Sequence, residues 1–294
     1  MFDCLVAGDA NADLLVEGSD PLEPGVERLA SDLNLVLGGS SAITAFNLSR
    51  LGARVMFAAV IGRDLFGRFV EEKLASGGVD LSGVRRMATH KTGVTIWYSR
   101  QHKRAGLTYP GTIAMLECAD ISKTLLKAAR HLHVGAYFLQ TRLHVDAPKL
   151  FAEAKGIGLT TSLDCNYDPR EQWDSNLREV LKHTDIFLPN EDEALAITGA
   201  SRFSAAAREL ARLAACVVIK RGAAGAFMVT RTGEFEMPAL PTEVVDTTGA
   251  GDSFNAGFLA EYTKHGNPES CLRSGMVAAA RNVRKIGGTA AFEG

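Results

Sequence analysis

With 294 residues, 46% of them hydrophobic and 22% charged, the chain is long enough to bury a large core, as one α/β domain with an appendage or as two domains, and too apolar to stay disordered. Its 32 basic and 34 acidic side chains leave a formal charge of −2 with no long basic run, so a nucleic acid or an anionic membrane finds no electrostatic footprint and a small-molecule partner is expected. The five cysteines, Cys4, Cys118, Cys165, Cys216 and Cys271, form no CxxC pair, which argues against a disulfide framework and fits a reducing cytoplasm.

The chain enters a buried strand at 4–7 with no charged leader, and no apolar run reaches the ~18 residues of a membrane span, so a soluble, unexported protein is expected. GDANAD follows and places Asn11 and Asp13 just past that strand. An amide and a carboxylate there could hold the hydroxyls of a polyol, and the same spacing also makes an ordinary Asx turn. The segment 13–37 is acidic, carries proline and ends in LNLVL. In GGSSAITAFNLSRLGA, Gly38 and Gly39 open a helix predicted over 41–51. Its first amides, with Ser40 and Ser41, could meet further hydroxyls or simply form a well-capped end.

A strand at 55–61 and a helix at 66–76 lead to 92–109, where GVTIWYS, RQHKRAG and LTY predict a hairpin with a polar turn. Residues 13–37 and 92–109 are expected to form a small β-sheet lid on a core made of 1–12, 38–91 and 110–294, excluding water from a reacting group. Lid strands with an exposed apolar face also invite a second copy, so a homodimer through the lid is expected.

Further strands are predicted at 131–134, 159–163, 186–189, 217–220 and 226–230, with helices at 122–130, 147–155, 175–183 and 204–214. This rhythm predicts an α/β fold with a mainly parallel central sheet and helices on both faces. Ligands of such sheets bind at the carboxyl ends of the strands. LDCNYDPREQW offers Asp164, Asn166 and Asp168 at one such end. FLPNEDEALAITG puts Asn190 and Glu193 on the first turn of a helix, where Glu193 could hold a metal-bound water or merely satisfy the helix dipole. KRGAAGA, with Lys220, Gly222 and Gly225, suits close backbone approach to a nucleotide, although glycine turns are common.

The segment 246–258, DTTGAGDSFNAGF, is the most informative. VVDTT resembles a strand leaving the core, and SFNAGFLAEYTKH has helical spacing. Gly249 and Gly251 permit a tight turn, and the helix amides beyond them lack intrahelical acceptors, so they suit an anion. Asp252 would repel that anion unless its task is to take a proton from the group attacking it; otherwise it caps the helix. A P-loop is excluded because no GxxxxGK stretch occurs, and the dinucleotide fingerprint fails because Phe254 stands where a third glycine is required. There is no HExxH, GxSxG or EF-hand loop.

In order and spacing these segments, with AVIGRDLFG at 59–67, resemble the ribokinase-like (PfkB) carbohydrate kinases over essentially the whole chain. The resemblance implies an ATP-dependent kinase using Mg²⁺. Gly249, Ala250, Gly251 and Asp252 then correspond to the anion hole for the γ-phosphate, with Asp252 as catalytic base. Asn190 and Glu193 correspond to the pattern that influences magnesium and phosphate binding, Asp13, Gly38 and Gly39 to sugar contacts, and Lys220, Gly222 and Gly225 to nucleotide contacts. Asn11, Ser40, Asp164 and Asn166 join the expected substrate site. Asp246 and Thr248 match positions that help bind a monovalent cation, K⁺, in some members. Three departures stand out. Ile43 replaces an asparagine near the sugar. Asp168 stands where ketogluconate kinases carry an arginine, which favours an uncharged substrate. Met276 replaces an asparagine beside the adenine. Within this family a nucleoside kinase is the alternative, with Trp97, Tyr98 and Tyr109 as an aromatic wall. Outside catalysis the alternative is a sugar-binding regulator, against which the intact Asp252 and glycines speak.

Overall fold

The computed structural model describes residues 1–100 and 103–294. In chain order the first elements are β1 (Cys4–Ala7), β2 (Asn11–Gly18), β3 (Ala30–Gly38), α1 (Ser40–Arg50), β4 (Val55–Gly62), α2 (Leu65–Ser76), β5 (Asp80–Met87), β6 (Gly93–Arg100) and β7 (Lys103–Tyr109). The middle of the chain forms α3 (Lys123–Ala128), β8 (His131–Val134), α4 (Ala147–Gly156), β9 (Thr160–Leu163), α5 (Leu177–Leu181), β10 (Ile186–Phe187), α6 (Glu191–Thr198) and α7 (Phe203–Leu210). The last elements are β11 (Cys216–Lys220), β12 (Ala226–Thr230), β13 (Gly233–Met237), α8 (Ala250–Tyr262) and α9 (Pro268–Asn282).

Nine of these strands form one sheet in the order β13-β12-β11-β10-β9-β8-β1-β4-β5. It is parallel from β11 to β5, and β12 and β13 extend it antiparallel at one edge. The period of two along each strand divides the core into two layers. Leu5 and Ala7 of β1 and Met56, Ala58 and Val60 of β4 face the layer that contains Leu126, Phe151, Val180 and Leu210 of α3, α4, α5 and α7. Cys4, Val6, Val55, Phe57 and Ala59 face the opposite layer, with Phe46, Val70, Phe258 and Leu272 of α1, α2, α8 and α9. Burying a side chain such as Phe258 on this scale stabilises by about 1.5–3 kcal/mol relative to leaving it in water. Both sheet faces are therefore covered, and the strand ends are left as the place where loops meet.

The second sheet runs β3-β2-β6-β7. Its hairpin partner strands β6 and β7 pair antiparallel from Val94↔Tyr109 to Arg100↔Lys103, and the polar turn residues Gln101 and His102 lie outside the described residues. Its base is tied to the core by Asp64, which caps α2 through Gly67 N at 2.8 Å and accepts from Thr92 N at 2.7 Å. The conspicuous RDLFG stretch thus has a structural task. Register gives this sheet two unlike faces. Leu35, Leu14, Ile96 and Leu107 form a row across all four strands on one side, and Leu107 is 72% exposed. Asn34, Leu15, Trp97 and Gly106 form the matching row on the other side, with Val36, Asp13, Thr95 and Thr108 beside it.

Two strands, β5 and β13, were not anticipated from the sequence, and the VVDTT run is not a strand. Val244 and Val245 are 59% and 56% exposed. The amides of Val245 and Asp246 both donate to the Val283 carbonyl beyond α9, at 2.7 and 3.2 Å. This apolar stretch pairs with no strand and crosses the end of α9 instead. No helix among the described residues is long and apolar enough to cross a membrane, and all five cysteines are free thiols.

Candidate functional site

A cleft of about 680 Å³ opens at the carboxyl ends of the parallel strands. It is lined by Ser40 from α1, Asp164 and Asn166 after β9, Asn190 and Glu193 at the start of α6, Lys220, Gly222 and Gly225 at the end of β11, and Ala250, Gly251 and Asp252 at the start of α8. Residues expected to act together from segments far apart in the chain are thus brought together by the fold. One end of the cleft is apolar, walled by Leu240, Pro241, Val244, Met276, Ala279 and Val283. Apart from Met276, this wall had no motif to announce it, because ordinary alanines, valines and prolines become a binding surface only when two distant segments face each other.

The α8 turn is built for an unobstructed helix end. Gly249 takes the left-handed conformation, φ 70°, and a Cβ there would come 2.6 Å from the Gly288 Cα. No side chain caps the helix, and Ala250 N bonds back to Thr247 O at 3.2 Å, so the amides of Gly251 and Asp252 are the ones an intrahelical ladder cannot satisfy. Asp252 stays partly open to the cleft, while Ser40 approaches from the side and Thr44 Oγ1 donates to its carbonyl at 3.4 Å. Burial pushes its carboxyl well above the usual carboxylate range; Asp164 and Asp9 add to that, and Lys220 and Ser40 oppose it.

Around it the charges are tightly paired. Lys220 Nζ lies 2.7 Å from Asp164 Oδ2 and 3.2 Å from Asn255 Oδ1, and Asn255 Nδ2 donates to the same Asp164 oxygen. Burial opposes the charge on Asp164, but Lys220 and Asn255 hold its carboxyl below the ordinary value. Glu193 is pushed up to about 7, first by burial and then by Asp164. Its Oε2 accepts from Asn190 N at 2.8 Å while Asn190 Oδ1 accepts from Glu193 N at 2.8 Å, so the two residues form a capping box. Asp164, Cys165 and Glu193 each offer a potential ligand atom within 4.8 Å of the others. The Cys165 thiol, raised far above its usual value by burial, stays protonated. What remains is a pair of hard oxygen donors, which fits hydrated magnesium better than a soft metal.

Asn11, Asp13, Gly38 and Gly39, four of the expected substrate residues, form a second group, outside the cleft lining and against the small sheet. Asn11 Nδ2 donates to Asp13 Oδ1 at 2.7 Å, and Trp97 Nε1 donates to Asp13 Oδ2 at 3.3 Å. Gly38 leaves them room, since a Cβ there would come 2.1 Å from Asp13 Oδ1. Gly39 is the N-cap of α1. Within the cleft, Asn166 donates to Ser40 Oγ at 3.3 Å, and Ser40 directly follows Gly39 of this group.

Four expectations need correction. The first amides of α1 are not open to hydroxyls: Ser40 N and Ser41 N donate to the Asp9 carboxylate at 3.1 and 2.8 Å, and Ser41 Oγ is buried accepting from Asp9 N. Asp9 was passed over although it stands in GDANAD, directly after β1. Asp168 does not front a substrate site. It is 3% exposed and accepts from Arg170 N, Gln172 N and Trp173 N, so its carboxylate staples its own loop and the inference of an uncharged substrate loses its basis. Tyr98 and Tyr109 alternate to the face opposite Asp13, which leaves Trp97 alone of the three on the site side. Ile43 packs against Gly249 and Gly288, beneath the α8 turn, not beside a ligand. Asp246 and Thr248 also lie outside the cleft lining. Asp246 accepts from Thr248 N, Thr248 Oγ1 and Gly287 N, tying the turn before α8 to the carboxyl-terminal loop. Asn255 was missed as well, although its position three residues after Asp252 puts both on one face of α8.

A sequence profile of the pfkB family carbohydrate kinases matches residues 1–293. A cytidine kinase of Thermococcus kodakarensis is 30% identical over 98% of this chain and 98% of its own. A fructokinase of Klebsiella pneumoniae is 31% identical, covering 90% of this chain and 86% of its own. The structure of Arabidopsis thaliana ribokinase complexed with ribose and ATP superposes with a TM-score of 0.85 at 24% identity, over 97% of this chain and 94% of that one.

Proposed function

The chain belongs to the pfkB family of carbohydrate kinases, enzymes that transfer a phosphoryl group to an alcohol, and we propose that it moves the γ-phosphate of ATP to a hydroxymethyl group of a small sugar. The observation that carries this reading is the position of Asp252: a partly open carboxyl at an uncapped helix end, with an apolar slot on one side and Ser40, next to the Asn11–Asp13 group, on the other. Asp252 takes the proton of the attacking hydroxyl. The amides of Gly251 and Asp252, at the positive end of the α8 dipole, hold the oxygens of the transferring group, and preorganised donors of this kind are each worth ~2.7–4 kcal/mol. Asn11, Asp13 and Asn166 orient the acceptor, and the small sheet acts as a lid that keeps water out. Gly222 and Gly225 let the nucleotide approach the backbone, and the wall from Leu240 to Val283 covers its base. Glu193 and Asn190 would hold the water shell of Mg²⁺, which would supply charge neutralisation of the phosphates.

Trp97 supports a second reading, since an indole held by Asp13 on the site side of the lid could equally face the ring of a nucleoside, and a cytidine kinase stands among the relatives. ADP release measured over pentoses, hexoses, ketohexoses, their monophosphates and nucleosides decides between the two; release with none of them rejects both. The Asp246 carboxylate and the Thr248 carbonyl, beside the buried and unpartnered Oδ1 of Asn282, suit K⁺, and activity in potassium against tetramethylammonium tests it. The exposed row Leu35, Ile96 and Leu107 suits a second copy of the chain. Sedimentation of the wild type against Leu107→Glu tests that dimer.

A further inference from the structure

The described residues lining the cleft include three carboxyl side chains, Asp164, Glu193 and Asp252, and a single cationic one, Lys220. A site that receives a triphosphate needs positive charge, and an ammonium there is the strongest local source the chain itself provides. Lys220 is the last residue of β11, so the sheet delivers it to the strand ends. Its side chain is 13% exposed, and a Cβ built on Gly251 would lie 3.6 Å from its Nζ. The ammonium therefore abuts the middle of the α8 turn. Two groups fix it there, Asp164 Oδ2 at 2.7 Å and Asn255 Oδ1 at 3.2 Å, and they bond to each other as well.

A buried pair of this kind is poor value as a stabilising device, because desolvating both charges offsets most of their attraction. Its position is better explained by use. Burial works against the Lys220 charge, yet Asp164 and Glu193 keep it protonated above its ordinary value. Asp252 on α8 adds negative charge from a further side, and His133 on β8 stays neutral. An arriving phosphoryl group would meet repulsion from every carboxyl here and attraction from one side chain.

Building on the kinase reading, we propose that Lys220 is a catalytic residue: held by Asp164 and Asn255, its ammonium contacts the oxygens of the phosphoryl group in transit, and Asp164 is a positioning residue rather than a sugar ligand. The bond from the acceptor oxygen to phosphorus forms as the bond from phosphorus to the β–γ bridging oxygen breaks. The bridging oxygen leaves on ADP with the electron pair, and the acceptor proton passes to Asp252. Lys220 exchanges no proton and supplies charge alone.

Calorimetry of ADP binding, with Mg²⁺, in the absence and presence of aluminium fluoride separates ground-state affinity from affinity for a transferring phosphoryl group. Lys220→Met is expected to bind ADP within about threefold of wild type, to lose the extra tightness that fluoride confers, and to show a kcat lower by about 10²–10³ with the sugar KM nearly unchanged. Because the single variant leaves Asp164 buried without its partner, Lys220→Met/Asp164→Asn is measured beside it, with thermal unfolding to establish the fold. Asp164→Asn alone is expected to lose part of the fluoride effect while Lys220 remains. A folded double variant that keeps the full fluoride-dependent gain overturns the proposal. Such a result would leave the kinase reading standing, since that reading falls only if the wild type phosphorylates no acceptor.

Discussion

The starts of α6 and α8 follow the same plan and reach opposite outcomes. Each helix begins after a strand-end loop and carries an acid at its third position, Glu193 in one and Asp252 in the other. In α6 the N-cap is Asn190, whose amide oxygen takes the Glu193 amide while the Glu193 carboxylate turns back onto the Asn190 amide. That end is closed by its own side chains. In α8 the N-cap is Gly249, which has no side chain to offer, and Asp252 does not turn back. The α1 end is also closed, by Asp9 from another segment. A helix end is thus left open to a ligand by what stands at the cap, and an acid in the first turn is free for chemistry when the cap gives it nothing to do.

The sharpest way to break this contrast is to remove the charge of Asp252. Asp252→Asn should keep the fold and the sugar KM and lower kcat by about 10²–10⁴ in a coupled ADP-release assay, the range of a general base. Turnover close to wild type would remove Asp252 from the base role. Because its carboxyl is held above the usual range and must be ionised to accept a proton, the rate of the wild type should rise with pH along an acid limb displaced upward from an ordinary aspartate.

Acid should also separate the beds on which the two helices lie. Beneath α8, His131 bonds Thr160 and Ser162 at 2.7 Å each, His133 bonds Ser162 at 2.7 Å, and Tyr262 of α8 meets the His131 ring edge-on. Burial lowers these histidines from 6.5 to about 3 and about 4. The unfolded chain therefore takes up protons that the folded chain refuses, and stability present above 6.5 is lost as pH falls toward about 4, by at most about 1.4 kcal/mol per pH unit for each histidine. Hydrogen exchange should accelerate in α8 before α6, which packs in the opposite layer. Equal acceleration in both would show that the histidines do not set the local response.

Smaller effects concern the caps themselves. Gly249→Ala forces a side chain into a left-handed position against Gly288 and should cost more than about 1 kcal/mol in unfolding free energy, with a loss of kcat that exceeds any change in nucleotide binding. Asn190→Ala should cost about 1 kcal/mol by denaturant unfolding and lower kcat less than Gly249→Ala does, because Asn190 bears on the Mg²⁺ waters and not on the transferring group. If the two variants damaged catalysis equally, the difference between an open and a closed helix end would carry no functional weight.

Much of this molecule was legible from residue order. Strands such as 4–7 and 131–134, the helix after GAGD, the two-sheet organisation and the cluster of Asp252, Lys220, Asp164, Asn190 and Glu193 at strand ends follow from local periodicity and from the rule that parallel sheets bind at their carboxyl edge. VVDTT was misjudged because β propensity says what a segment can do, and here its amides are taken by the Val283 carbonyl beyond α9 and not by a strand. Asp9 and Asn255 were beyond local reasoning for a related cause. A carboxylate or amide acquires its task from the partner it faces, and for Asp9 and Asn255 that partner, Ser41 and Asp164 respectively, lies dozens of residues away.

Amino-acid order alone therefore settled most of the elements, their alternation and the chemical groups available to the site, because those depend on neighbours along the chain. Folding in space settled which helix end stays open, which tyrosines turn away from Asp13, and that one lysine is clamped by Asp164 and Asn255 under the α8 turn. Those outcomes depend on contacts between segments as far apart as residues 164 and 255, whose distance in the fold no local pattern encodes.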